Sequence, residues 1–137
     1  MTDLALDTSV AVAYLLRSHV AHPAVRDHVG TRVPTLTGHS LAETYSVLTR
    51  LPGDARVTPA DAVTLIEANF GKPALLDPGT AASIPSVLAS VGVAGGAVYD
   101  ALVALAARAS NLPLATRDQR AASTYAILHV QIELVIT

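Results

Sequence analysis

Short unbroken apolar runs recur along the chain, each closed by a turn or capping residue. Between them lie longer stretches whose apolar positions repeat at helical spacing. Leu4 to Asp7 reads as a buried strand, and Ser9 is the expected N-cap of a helix from Val10 to Leu16. His22-Pro23 opens a second short helix that ends near Val29-Gly30. Val33 to Leu36 reads as a strand, and Thr37-Gly38 as a break. A helix from Ser40 to Leu51 follows, with Leu41, Val47, Leu48 and Leu51 among its apolar positions, and Pro52-Gly53 stops it. Thr58-Pro59-Ala60-Asp61 starts the next helix, which runs to about Asn69. Thr58 is its cap, Pro59 fits its first turn, and Asp61 lies at its positive end.

The second half continues the alternation. Ala74 to Leu76 is a short strand candidate, Asp77-Pro78-Gly79 a turn, and Thr80 to about Val91 a helix. Gly92 to Gly96 forms a loop before a helix from Tyr99 to Ser110. Leu112 to Ala115 is a strand, Asp118 to Thr124 a short helix, and apolar β-branched segments fill Ile127 to Ile136. Strands alternating with helices predict an α/β fold with a mainly parallel central sheet. Without a repeat, linker or low-complexity stretch, residues 1–137 are expected to form a single domain.

Composition narrows the chemistry. Hydrophobic residues make up 51% of the chain, yet it has only four tyrosines, one phenylalanine and no tryptophan, so Ala, Val and Leu must build the core. The absence of cysteine excludes a disulfide framework, a thiolate metal site and a cysteine nucleophile. The opening MTDLALDTSV has no basic n-region, so no secretory signal is apparent and a cytoplasmic location is expected. The apolar stretch Ala101 to Ala107 is far too short to cross a bilayer, so no membrane association is expected. A net charge of −2 gives no global basic field; a nucleic-acid ligand would need local arginines and a bound cation. Lys72 is the single lysine, leaving arginine as the main cation. That usage suits phosphate contacts, and it is also what a GC-rich genome produces.

Four acids stand at telling places. Asp7 ends the first strand, Glu43 lies in an amphipathic helix, Asp100 opens a nearly all-apolar helix, and Asp118 follows the Leu112–Ala115 run. In a parallel α/β fold, strand ends and helix starts converge at one edge of the sheet. Carboxylates gathered there repel one another unless they share a cation, and an all-oxygen donor set suits Mg²⁺ or Mn²⁺. The pattern points to a metal-dependent nuclease. Each acid also has a structural reading. Asp7 and Asp100 can serve as helix-start acids, and Glu43, three residues after Ser40, matches a capping box. Ser9 and Thr116 are candidates to orient ligands or bound waters, with helix capping as their structural alternative. Arg117 and Arg120 flank the last acid and are candidates for guiding an RNA backbone. The remaining acids read as caps, turns or solvated groups, Glu133 among the last. His19, His22 and His28 read as exposed.

Taken in order, Leu6-Asp7-Thr8-Ser9, Ala42-Glu43-Thr44-Tyr45-Ser46-Val47-Leu48-Thr49-Arg50-Leu51, Tyr99-Asp100-Ala101-Leu102-Val103-Ala104 and Ala115-Thr116-Arg117-Asp118 resemble the PIN-domain ribonucleases. The likeness is strongest to the VapC-type toxins of bacterial toxin–antitoxin pairs. Each motif is short; four in sequence order, with Gly95-Gly96 before Tyr99-Asp100, are specific. The resemblance implies a three-layer α/β/α sandwich and a metal-dependent endoribonuclease. It implies that Asp7, Glu43, Asp100 and Asp118 hold Mg²⁺ or Mn²⁺, with Ser9 and Thr116 beside them. It further implies an RNA substrate, a homodimer, and a cognate antitoxin whose C-terminal segment blocks the site. Thr8 departs from the asparagine common in relatives, which removes no carboxylate.

Competing classes fit less well. A phosphotransfer receiver needs paired acids by the first strand and a late lysine; Asp7 has no acidic neighbour and the only lysine is Lys72. A haloacid-dehalogenase-like phosphatase needs Asp-x-Asp, where this chain has Asp7-Thr8-Ser9. A housekeeping PIN-domain RNA-processing nuclease and a non-catalytic PIN-like binding module remain as alternatives.

Overall fold

The computed structural model describes residues 2–136. Its centre is a sheet of four parallel strands in the order β2-β1-β3-β4. The strands are β1 (Leu4–Leu6), β2 (Pro34–Leu36), β3 (Leu114–Thr116) and β4 (Ile132–Leu134). Leu6 pairs with Leu36 on one side of β1 and with Ala115 on the other. The period of two along β1 divides the interior. Leu4 and Leu6 pack into one apolar cluster with Val10, Val25 and Leu48, while Ala5 joins a second with Leu105, Leu114 and Tyr125. Each sheet face is therefore covered, as parallel sheets require, and the expected three layers are present.

Helices α1 (Thr8–Leu15), α2 (His22–Val29), α3 (Gly38–Thr49) and α4 (Pro59–Asn69) contribute to the first cluster. Helices α5 (Pro78–Ala82), α6 (Ile84–Ser90), α7 (Ala97–Ala109) and α8 (Gln119–Ile127) complete the helical set. Residues of α6, α7 and α8 fill the second cluster. Many of the buried positions of α7 are alanine, whose small side chain lets the helix pack closely against α3 and α8. Among the described residues no helix is long and apolar enough to cross a membrane.

Several helix starts differ from expectation. Asp7, rather than Ser9, caps α1, its carboxylate accepting from the Val10 N–H. Thr37 caps α3, and its partner in the capping box is Ser40, not Glu43; the helix therefore starts at the supposed break. The aspartate Asp77, read as a turn residue, caps α5. The single helix expected from Thr80 is interrupted at Ser83, just before Pro85. Continuing the helix would set the Pro85 ring against the carbonyl four residues earlier. Ala74 makes an isolated bridge to Thr37 instead of starting a strand, and Leu75 is exposed. At the far edge of the sheet Glu133 is not simply solvated. It accepts from Arg32 at 2.9 Å and 3.0 Å and lies 2.7 Å from His28 Nε2, which is therefore only half-exposed.

Leu6 is fully buried in the central strand, where its neighbours can collapse only partly around a void. Leu6→Ala is expected to cost about 2–5 kcal/mol of stability, read from the urea midpoint at unchanged slope.

Candidate active site

All four strands run the same way, so residues just past their ends gather at one edge. Asp7 follows β1 directly, and Asp118 follows β3 by two residues and caps α8. Glu43 comes from the second turn of α3, and Asp100 from the first turn of α7. A cavity of about 110 Å³ is lined by all four carboxylate residues together with Ser9. The sequence reading had not assigned a role to three more of its lining residues, Thr8, His39 and Tyr125.

Asp7 forms the buried floor, with 5% of its surface exposed. Ser9 Oγ donates to its Oδ1 at 2.6 Å, Val10 N–H to the same oxygen at 3.2 Å, and Tyr125 O–H to Oδ2 at 3.0 Å. Burial pushes the Asp7 carboxyl above the ordinary aspartate range, opposed by hydrogen bonding from Ser9, Thr116, Tyr125 and Val10. The Tyr125 hydroxyl is pushed well above its usual range, first by burial and then by the Asp7 charge, so it stays a proton donor. Asp100 is raised as well. Burial is the main cause, followed by the charges of Asp118, Asp7 and Glu43. That mutual repulsion marks the four groups as one electrostatic unit.

The supporting groups are ordered around this floor. Ser9 Oγ also accepts from Arg117 N at 3.0 Å, tying the ends of β1 and β3 together. Thr116 Oγ1 accepts from Asp118 N at 3.0 Å and so fixes the turn that carries that acid. Arg117 reaches back with Nη1 to the Ser9 carbonyl at 3.4 Å. The Arg120 side chain is 96% exposed, 3.7 Å from Asp118. His39 lies one helical turn before Glu43, with Nε2 3.5 Å from Glu43 Oε2. Its Nε2 and the Thr8 hydroxyl are buried without hydrogen-bond partners. The His39 position was legible, since residues four apart share a helix face. Tyr125 was not, because the expected helix stopped before it.

A larger cavity, about 720 Å³, lies elsewhere, between α3 and α4. Leu41, Tyr45, Val63, Ile66 and Phe70 line it, with Glu67 as its only acid. It lacks convergent polar groups, so the smaller acidic cavity is the better candidate for chemistry.

Folding holds the Asp7 proton more tightly than the unfolded chain does. Stability therefore falls as pH rises from the ordinary aspartate range through the raised value. Asp7→Asn keeps a good N-cap and removes that penalty. In cation-free buffer at pH 7.5, this variant is expected to melt several degrees above the parent. The gap should narrow toward pH 4 in circular-dichroism melts. A pH-independent gap, or a variant of lower stability, would contradict the assignment of strain to this carboxylate.

The family model for the PIN domain matches residues 4–127. Ribonuclease VapC27 of Mycobacterium tuberculosis is 53% identical over 129 residues, which cover 94% of each chain. VapC20 of M. tuberculosis, a sarcin-ricin loop cleaving toxin, superimposes with a TM-score of 0.67 at 15% identity, covering 88% of this chain and 94% of that one. VapBC-5 of M. tuberculosis, a member of the VapBC family of toxin-antitoxin systems, superimposes with a TM-score of 0.56 at 20% identity over 100% of both chains. The chain belongs to the PIN domain family and, within it, to the VapC-type ribonucleases.

Proposed function

We propose that this chain is the toxin of a toxin–antitoxin pair, a Mg²⁺- or Mn²⁺-dependent endoribonuclease that hydrolyses RNA phosphodiester bonds. The observation that carries the reading is the convergence of Asp7, Glu43, Asp100 and Asp118, from four separate segments, on one small cavity. Burial and then its acidic neighbours raise the pKa of Asp100, a cost in stability of the kind that functional sites carry.

The donor set fits a hard divalent ion. Every charged group on the cavity wall is a carboxylate, and the buried Thr8 hydroxyl points to an unmet polar partner. Among the described residues no three His, Asp or Glu side chains close to the spacing of an all-protein metal cage. That looseness suits Mg²⁺, which keeps several waters and takes only one or two carboxylates directly. Asp7, Asp100 and Asp118 would hold the ion directly or through water, and Glu43 would hold a coordinated water or a second ion. Such an ion supplies Lewis acidity, polarising the phosphodiester and making water a better nucleophile near neutral pH.

The protein's own groups do the positioning. Ser9, Val10 N–H and Tyr125 fix the Asp7 oxygens, so the carboxylate need not reorganise during the reaction. Thr116 holds the Asp118 turn, and Ser9 locks the two strand ends in register. Arg120, exposed at the rim, and Arg117 beside it are the groups proposed to meet the RNA backbone. The chain is proposed to work as a homodimer, with an antitoxin as inhibitor. The apolar groove between α3 and α4 offers such a partner a surface distinct from the acids. The same fold in a VapBC toxin–antitoxin member supports that partner class. The main alternative, a housekeeping RNA-processing nuclease, shares this chemistry and differs in having no dedicated inhibitor.

Purified protein is expected to cut cellular RNA into discrete fragments with Mg²⁺ or Mn²⁺ and not with EDTA. Asp7→Asn is expected to lower cleavage at least about 100-fold while keeping its fold. Mn²⁺ at ten times its dissociation constant should add about 1.4 kcal/mol of stability to the parent and much less to Asp7→Asn. Normal cleavage by folded Asp7→Asn would sink the mechanism.

A further inference from the structure

We propose that Tyr99, held in place by His39, is a stacking platform for one unpaired RNA base beside the acidic cavity. The inference rests on the reading of that cavity as an RNA-cleaving centre and gives it its first base contact. The two rings are stacked, with centroids 5.4 Å apart and planes 21° from parallel. The imidazole lies against the phenol, yet Tyr99 remains 58% exposed, which leaves ring surface for a second stacking partner. Of the two exposed tyrosines, Tyr99 at 58% and Tyr45 at 37%, only Tyr99 adjoins the acids. Tyr14 and Tyr125 are buried, Phe70 packs against the core, and Tyr45 lies in the apolar groove.

Position gives the ring a use. Tyr99 immediately precedes Asp100 in the first turn of α7, and His39 itself lines the acidic cavity one turn from Glu43. The platform thus bridges the two helices that supply Glu43 and Asp100. A phosphodiester lying in the cavity has its neighbouring nucleotide at this rim. Its base can turn onto the ring only if it is unpaired. Because every base has a π-face, such a contact favours unpaired over paired nucleotides more than it favours any sequence. The ring is also pre-ordered by His39, so little further rotamer freedom is lost on binding. Protein is the competing occupant, since Leu102 and the exposed Leu75 line an apolar cavity on the far side of His39. The acids beside Tyr99 repel an RNA phosphate unless a divalent ion lies between them; with such an ion bound, the anionic backbone would be drawn to the cavity and a base brought to the ring.

The test uses a short single-stranded RNA of randomised sequence carrying 5-iodouridine, bound in Ca²⁺ and followed by fluorescence anisotropy and photocrosslinking. Cleavage in Mg²⁺ and sedimentation mass are measured in parallel for the parent, Tyr99→Ala and Tyr99→Phe. Tyr99→Ala is expected to weaken binding roughly 5- to 100-fold and to lose a crosslink that maps to the Tyr99 peptide. The loss in cleavage should fall mainly on KM, and Tyr99→Phe should retain both binding and crosslink. Parental binding by Tyr99→Ala, or a crosslink only at other peptides, overturns the platform. So does a changed sedimentation mass with RNA binding intact, which would assign the ring to protein assembly. Tyr99-dependent binding without any cleavage by the parent would leave the platform standing and remove the nuclease reading. Normal cleavage and binding by Tyr99→Ala would remove the platform alone. A parent that neither binds nor cleaves removes both.

Discussion

The carboxylate of Asp7 is the point on which the rest of the structure turns. It ends the central strand, caps the first helix and forms the floor of the acidic cavity. A buried charge of this kind is tolerable only when its oxygens are well supplied with donors. Ser9 and Val10 meet that need from the first turn of α1, and Tyr125 from a helix far along the chain. Two sides of the fold are therefore joined through one side chain. The same hydrogen bonds that make its burial possible also fix its direction, so local folding requirements and site geometry coincide.

The other acids are added against an electrostatic gradient. Burial, and after it the charges of Asp118, Asp7 and Glu43, push the Asp100 carboxyl upward. A fold selected only for stability would relieve this by replacing one acid with an amide. Retaining all four is the kind of conflict between stability and local chemistry that functional sites display. The distal edge shows the contrast. There Glu133 is paired with Arg32 and held below the ordinary glutamate range, so it is satisfied and chemically quiet.

Much of this was legible in the sequence, and for identifiable reasons. Apolar runs at Leu4–Leu6 and Leu114–Ala115 reflect burial, which depends on local pattern, and the Thr58-Pro59 start signal places α4. The acidic residues could be assigned to one edge because parallel topology brings strand ends together. Caps were harder to place. Several neighbouring side chains can satisfy the same N–H groups, so Ser9 competed with Asp7, and Glu43 with the Thr37–Ser40 pair. Tyr125 lay beyond reach because its partner is Asp7, at a separation no periodicity encodes. The His28–Glu133–Arg32 cluster escaped for the same reason, its members meeting only after β4 is in place.

Helix α3 links the acidic cavity to the apolar groove in a way that bears on inhibition. His39 and Glu43 are four residues apart and face the acids, while Leu41 and Tyr45, also four apart, face the apolar groove. Residues two apart on a helix point about 200° away from each other, so one rigid helix presents opposite faces to the two sites. A ligand in the groove alone need not touch a carboxylate, and it can alter the site only by preferring one position of α3 over another. The buried Thr37–Ser40 capping box and the buried Leu48 pin both ends of that helix, leaving little room for such a shift. An inhibitor that uses the groove for affinity would therefore need a second segment reaching the acids to block chemistry. Tethering those two contacts raises the effective concentration of the blocking segment, so even a weak carboxylate-facing contact becomes an effective one.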